Sequence, residues 1–310
     1  MGHKCIEIRK IGIFGSKYQI GKQHYIKQLF DRLLAFNTEI WIERQFYTYL
    51  SQECKYIPKI AGLIDSTTFP LDMVFSLGGD GTFLRTAALV KRQNIPILGV
   101  NTGNLGFLAD INAQEINSAL DEIINQHYRV EERSLLQMKP LLQSKEEYSY
   151  ALNEIAVLKR DTSSMITISA YLNDLFLTEY LADGLLVATP TGSTAYSLSV
   201  NGPILVPQAN NFVLTPVAPH SLNVRPLVVP EDYKIRLKVE SRSQNFLVAL
   251  DGRSEVFPSG SEFHIQKADF TIKIVKRLNK NFFETLRNKL FWGTDVRERR
   301  YQEESGEGVT

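Results

Sequence analysis

Residues 71–85 read LDMVFSLGGDGTFLR: an apolar run, then three glycines around a single acid, then a second apolar run. Leu71 to Leu77 has the length and composition of a buried strand, and Thr82 to Lys91 sets Phe83, Leu84, Ala87 and Ala88 along one side of a helix. A strand joined to a helix by a glycine turn is the unit from which parallel sheets are assembled. The unit recurs on both sides. Upstream, RKIGIFGS from Arg9 is an apolar run closed by glycine, and Tyr25 to Phe36 spaces Ile26, Leu29, Phe30, Leu33 and Leu34 at helical intervals. Downstream, IPILGVN is another compact apolar run. This alternation predicts an α/β N-terminal domain with a parallel sheet covered by helices.

After about Glu132 the texture changes. LLQMKPLL, YALNEIAVLK, MITISAYLN, GLLVATP, NFVLTPVAP, YKIRLKVE, NFLVALDG and FTIKIVK are short β-branched or alternating segments separated by Asn, Asp, Gly, Pro or charged residues. They predict a β-rich C-terminal domain. Past Lys280 a helical pattern returns, with Phe282, Phe283, Leu286, Leu290 and Phe291 along one side. The expected organisation is residues 1–132 as the α/β domain, 133–280 as the β-rich domain, 281–297 as a helix returning to the first domain, and 298–310, ending QEESGEGVT, as a disordered polar tail.

The bulk numbers narrow the function. A chain of 310 residues with 44% hydrophobic composition can bury sizeable cores. Its 35 basic and 34 acidic residues balance, which argues against a dedicated nucleic-acid binder or a polybasic membrane binder. Two cysteines, Cys5 and Cys54, have no metal-ligand spacing and form no disulfide framework, so a cytoplasmic location is expected. No run reaches the roughly 18 apolar residues that read as a membrane span, and MGHKCIEIRK lacks a signal-peptide core. Ile6 also breaks the myristoylation pattern that Gly2 would begin.

Asp80 lies where open α/β sheets bind ligands, just past the carboxyl end of a strand. Gly78, Gly79 and Gly81 leave no Cβ between backbone and ligand, and Thr82 is positioned to cap the following helix. Exposed N–H groups at a helix start bind phosphate. A carboxylate beside phosphate is unfavourable by Coulomb's law, so its presence points to holding a metal or accepting a proton. The plain alternative is a tight turn with an Asp cap. Neither common nucleotide fingerprint is present: no G-x-G-x-x-G follows a strand, and GSKYQIGKQ has Ser16 and Gln23 where a P-loop needs Gly and Ser or Thr.

A second polar constellation is LADGLLVATPTGSTAYSLSVNGPILV, residues 181–206. Thr189, Thr191, Ser193, Thr194, Tyr196, Ser197 and Ser199 place hydroxyls around one turn between apolar runs, suited to surrounding a polar ligand. Asn153 and Glu154 interrupt the apolar strand YALNEIAVL and need partners, for which ribose hydroxyls are suitable; an edge strand with one solvated face is the alternative. Asp183 opens a similar run. His220 in APHSL reads as a hydrogen-bonded loop histidine.

Taken together, GGDGT (78–82), NTGNLGFLAD (101–110), LNE (152–154), DGLLVATPTGSTAYSLS (183–199), PHSLNVRPLVVP (219–230) and FETLRNKLFWG (283–293) closely resemble the bacterial NAD kinases. GGDGT alone is shared with lipid and sugar kinases, whereas TPTGSTAY with the upstream NE and DG is far more specific. The resemblance implies ATP-dependent phosphorylation of the adenosine 2′-hydroxyl of NAD, in a crevice between two domains. It also implies Mg²⁺ or another divalent cation with ATP, and a homodimer or homotetramer in which a neighbouring subunit completes the site. By the same analogy Asp80 is catalytic and contacts the reacting ribose hydroxyl, and Gly78, Gly79, Gly81 and Thr82 form the phosphate loop. Phe107 lines the adenine side, Asn153 and Glu154 hold NAD, Asp183 takes the nicotinamide end, and Thr191, Thr194, Ala195 and Tyr196 form the wall. One departure is Asn201, which stands where the family usually shows glycine. The rival readings are another GGDGT kinase acting on a lipid or sugar, and an idle NAD(P) sensor.

Overall fold

The computed structural model describes residues 8–17, 22–65, 68–103, 106–109, 111–140, 149–161 and 164–293. Cys5, the polar tail and part of the NTGNLGFLAD segment lie outside them.

Five parallel strands form the first half of the large sheet: β1 (Lys10–Gly15), β2 (Glu39–Glu43), β3 (Gly62–Ile64), β4 (Met73–Leu77) and β5 (Ile97–Asn101), in the spatial order β5-β4-β1-β2-β3. β4 and β5 are buried at every position, as expected for parallel strands covered on both faces. Alternation then sorts their side chains. Ile11, Ile13, Met73, Phe75 and Leu77 pack with α1 (Gln23–Ala35), α2 (Arg44–Gln52) and α4 (Ile116–Ile124), while Phe14, Val74 and Ile97 pack with α3 (Asp80–Val90) on the other side. α1 buries Ile26, Leu29, Phe30 and Leu33, the helical stripe read from the sequence, each contributing about 1.5–3 kcal/mol.

The remaining strands, in chain order, are β6 (Ile111–Asn112), β7 (Tyr128–Pro140), β8 (Ser149–Ala151), β9 (Glu154–Lys159), β10 (Ile166–Leu172), β11 (Leu175–Ala182), β12 (Gly184–Ala188), β13 (Asn211–Val217), β14 (Leu227–Pro230), β15 (Ile235–Ser241), β16 (Asn245–Leu250), β17 (Arg253–Pro258) and β18 (Glu262–Arg277). Six of them form an antiparallel sheet in the order β14-β13-β12-β9-β16-β17. Its inner face, with Ile155, Val157, Leu185, Val187, Phe212 and Phe246, packs on Ile166, Ile168, Leu237, Val239, Phe263 and Ile265 of β10, β15 and β18. The β-rich half is therefore a sandwich of two sheets.

One of those two sheets is continuous with the parallel sheet of the first half, running β11-β10-β15-β18-β5 and onward. β18 is the seam. Its start pairs with β15, its length pairs with β7 with a register shift between Lys267 and Thr271, and near its end Ile274 lies parallel to Ile97 of β5. β7 passes residue 132 without a break. At the end of β18, buried Arg277 holds Glu122 of α4 through two bonds of 2.7 and 2.6 Å, with Glu115 at 3.2 Å.

Two local readings change. YALNEIAVL is two strands, β8 and β9, with a bend at Leu152 and Asn153, and β9 lies inside its sheet between β12 and β16. That removes the edge-strand alternative for Asn153 and Glu154. The last helix, α6 (Phe282–Leu290), begins with Asn281 accepting from the Glu284 N–H. Of its expected apolar stripe only Leu286 is buried, while Phe283 and Phe291 are 57% and 49% exposed. α6 is thus held at few points rather than sunk into a core.

Candidate active site

The turn after β4 is built around Asp80. Gly79 is extended, with φ −90° and ψ −171°, so α3 begins at Asp80 itself. Thr82 consequently sits inside the first turn and does not cap the helix, correcting the expectation from sequence. Its own N–H donates to the Gly79 carbonyl. The three glycines also divide. Gly78 is demanded by the protein, since φ is +153° and a Cβ there would stand 2.3 Å from Thr82 Oγ1. At Gly79 and Gly81 nothing else among the described residues, beyond the turn's own neighbours, lies within 4 Å of that position, so of the three these two leave open backbone.

The Asp80 carboxylate is gripped by residues 107–109. Oδ2 accepts from the Phe107 N–H at 2.9 Å, and Oδ1 accepts from Leu108 and Ala109 N–H at 3.1 Å each. Lys289 of α6 approaches Oδ2 at 3.4 Å and lies 4.5 Å from the centre of the Phe107 ring. Gly106, not singled out from sequence, makes this grip feasible: a Cβ there would lie 2.1 Å from Asp80 Oδ1. Gly106→Ala is therefore expected to dislodge the carboxylate and lower kcat at least about tenfold. Steady-state kinetics beside a thermal melt checks this, and an unchanged kcat contradicts it.

The second wall comes from β12 and the turn behind it. Thr189 Oγ1 donates to Leu152 O at 2.6 Å, Thr189 N–H donates to Asn153 O at 2.9 Å, and a Cβ on Gly192 would lie 2.1 Å from Asn153 O. The TPTGST turn is thereby locked onto the Asn153–Glu154 bend. Its hydroxyls do not all face a ligand. Thr189, Ser193 and Ser197 are buried and spent inside the fold, Ser193 on Pro190 and Leu205, Ser197 on Thr215 at 2.9 Å. Thr191 and Thr194 line a cavity they share with Phe107, Leu108, Arg129 and Phe282, the Thr194 hydroxyl donating to Thr191 O at 3.2 Å. Tyr196 opens the short helix after Ala195 and is 38% exposed. Asn201 adopts φ +66°, a left-handed conformation that asparagine tolerates better than most residues.

Asn153 and Glu154 are 7% and 9% exposed, yet Asn153 Oδ1 and Glu154 Oε2 have no partner among the described residues. Buried polar atoms are seldom left so. Their bend is oriented by Asp251, at the end of β16, which accepts from the N–H groups of Leu152 (2.8 Å), Asn153 (2.8 Å) and Glu154 (3.2 Å). Burial pushes the Asp251 carboxyl up against those three bonds and Arg253. Burial, and then the nearby Asp251 charge, push Glu154 up to about 7. Sequence reasoning missed Asp251. The available signal was an Asp-Gly pair closing an apolar strand, as at Asp80-Gly81.

Asp183 is not brought to these residues. It pairs with Lys159 at 2.7 Å, next to the end of β12 whose far end, Ala188, faces Glu154. Four strand steps separate those ends, about 13 Å. His220 is exposed. On the other side of the phosphate loop, Gly15, Ser16, Lys17, Gln45, Gly81, Thr82 and Arg85 line a cleft of about 270 Å³. Arg85 is held there by Glu43 and by Gly15 O at 2.8 Å. Among the described residues no group of three or more His, Cys, Asp or Glu side chains is arranged to hold a metal ion.

The model of the ATP-NAD kinase N-terminal domain matches residues 11–128, and that of the ATP-NAD kinase C-terminal domain matches residues 152–277. The chain is 52% identical over 288 residues to an NAD kinase of Bacteroides fragilis, covering 93% of this chain and 99% of that one. It is 48% identical over 290 residues to an NAD kinase of Porphyromonas gingivalis, covering 94% and 100%. Among solved structures, an NAD kinase from Archaeoglobus fulgidus in complex with ATP is similar at TM-score 0.71 and 26% identity, over 91% of this chain and 98% of that one. A yeast NADH kinase complexed with NADH shares the fold at TM-score 0.85 and 23% identity, over 94% and 89%.

Proposed function

Because the chain belongs to the NAD kinase family and phosphorylates the 2′-hydroxyl of NAD with ATP as donor, we propose that it does so between the Asp80 turn and the TPTGST wall. The observation that carries this reading is the pair of buried, unpartnered acceptors, Asn153 Oδ1 and Glu154 Oε2, on a bend locked to that wall. Hydroxyls of NAD other than the attacking one donate to both. Phe107, Thr191 and Thr194 then flank the adenosine, with Ala195 and Tyr196 beyond, and Asp80 accepts the proton of the attacking hydroxyl. The open backbone at Gly79 and Gly81, at the start of α3, receives the donor's phosphates, with Lys17 and Arg85 beside them.

The donor set supports a divalent cation, Mg²⁺ or a similar one, that arrives with ATP. Mg²⁺ keeps several waters and is held largely by substrate phosphates, so it would enter on the donor rather than in a preformed protein site. Bound there, such an ion neutralises developing charge on the donor phosphates.

Asp183 serves the nicotinamide end in this reading through a neighbouring subunit, since it stands away from Glu154. Exposed apolar side chains on edge strands support a homodimer or homotetramer: Leu175, Phe176 and Leu181 on β11, Val228 on β14 and Val256 on β17. Sedimentation velocity tests this, and a monomer at working concentration contradicts it. The buried free thiol of Cys54 fits a reducing cytoplasm. None of the helices is long and apolar enough to cross a membrane among the described residues.

The deciding assay supplies the protein with Mg-ATP and NAD and detects NADP with an NADP-specific dehydrogenase. Diacylglycerol, sphingosine and fructose 6-phosphate are expected to give no product. Lipid phosphorylation without NADP overturns the site assignment.

A further inference from the structure

We propose that Lys289 is a catalytic residue of this reaction: it pairs with Asp80, gives up that place to the acceptor hydroxyl, and passes to the phosphoryl group in flight. The proposal rests on the reading of Asp80 given above.

A carboxylate has about four lone-pair sites. On Asp80 three are taken by backbone N–H groups at 2.9, 3.1 and 3.1 Å, and the fourth by Lys289 at 3.4 Å. An incoming ribose hydroxyl therefore has to replace one donor. The backbone groups belong to one short turn and cannot leave singly. Lys289 is the longest contact of the four and sits on a flexible stem.

The helix that carries it suits such an exchange. The root of α6 is tied down, with Arg129 donating to Arg277 O and Lys280 O at 2.9 Å each and Asn281 capping the first turn. Beyond the root, Leu286 is the one buried side chain of α6. Lys289 lies over the Phe107 ring at 4.5 Å, a second cation-binding surface along its path. Released from Asp80, the ammonium remains beside the start of α3, where the donor's terminal phosphate is expected.

In the transfer, the 2′-oxygen forms a bond to the terminal phosphorus while the bond from phosphorus to the bridging oxygen breaks, and that electron pair leaves with ADP. The hydroxyl proton goes to Asp80 and from there to water. Negative charge is spread over the three equatorial oxygens of the transferring group, and an ammonium beside them stabilises that state more than the ground state.

Lys289→Ala is expected to lower kcat about 10²-fold, with KM for NAD changed by less than about threefold. Ethylamine added to the variant should restore part of the lost rate, and Lys289→Arg should retain more activity than Lys289→Ala. Rescue by amine does not follow from a purely structural role, and a thermal melt accompanies each variant. In the Asp80→Asn background, removing Lys289 should slow the enzyme at least about tenfold further, because the ammonium acts on the phosphoryl group and not only through Asp80. A kcat for Lys289→Ala within about threefold of the parent overturns the proposal. So does a loss that amine does not rescue and that vanishes in the Asp80→Asn background. If instead Asp80→Asn alone is nearly as fast as the parent, it is the Asp80 reading that fails.

Discussion

Asp80→Asn is expected to lower kcat by about 10² to 10⁴, because a positioned proton acceptor typically contributes that much. The lower end is favoured, since a loose phosphoryl-transfer transition state needs little proton removal before attack. The structure adds a second consequence. The substituted side chain can still accept from Leu108 and Ala109 with its amide oxygen, but its amide nitrogen then faces the Phe107 N–H and the Lys289 ammonium, both donors. A half-buried donor left unpaired costs up to about 1–3 kcal/mol, so the melt should fall modestly and kcat must be measured well below it. A Mg²⁺ titration separates the roles. A pure proton acceptor leaves the Mg²⁺ dependence intact, whereas a carboxylate that also touches the cation shifts activity to higher Mg²⁺. If kcat stays within about threefold of the parent, Asp80 is a turn residue and nothing more.

Glu154→Gln should stabilise the unliganded protein at alkaline pH while impairing NAD binding. The carboxyl is pushed from 4.5 to about 7 by burial and then by Asp251. Below pH 4.5 it is protonated in both folded and unfolded chains, and there Glu and Gln are both uncharged. Between pH 4.5 and 7 the unfolded chain ionises first, so parent stability falls as pH rises, by roughly 3 kcal/mol over the interval. Gln avoids that loss. Urea melts without NAD should therefore find the variant up to about 3 kcal/mol more stable at pH 8 and nearly equal at pH 4–5. Calorimetry with NAD should show affinity reduced about 10- to 150-fold, the worth of a hydrogen bond to a charged acceptor. Equal stability at pH 8 contradicts the environment assigned to Glu154, and unchanged NAD affinity contradicts its role.

Local patterns carried much of this into the sequence. The strand-turn-helix unit at 71–85, the stripe of α1 and the Asn153–Glu154 interruption are written in neighbouring residues, and short-range spacing reports such features well. What escaped was contact between distant residues. Asp251 meets the 152–154 bend only because β16 lies beside β9, and Lys289 meets Asp80 only because β18 carries α6 back across the first half. Thr82 misled because Gly79 is extended and starts the helix two residues early. The hydroxyls of residues 189–199 were read as one set, although composition cannot separate those consumed by the fold from those left to a ligand.

The seam at β18 also governs how the chain is made. β5 can align with β4 as soon as both emerge, but β6 covers its outer edge only at Val100 and Asn101. Its other neighbour there, at Ile97, is Ile274. At synthesis rates of roughly 5–20 residues per second, that partner leaves the ribosome on the order of 10–35 s later. During this interval the nascent amino-terminal half carries an apolar strand with an unsatisfied rim, a template for pairing with other chains. Residues 11–128 made alone should therefore aggregate, and the full chain should draw on chaperones until nearly all of it has been translated.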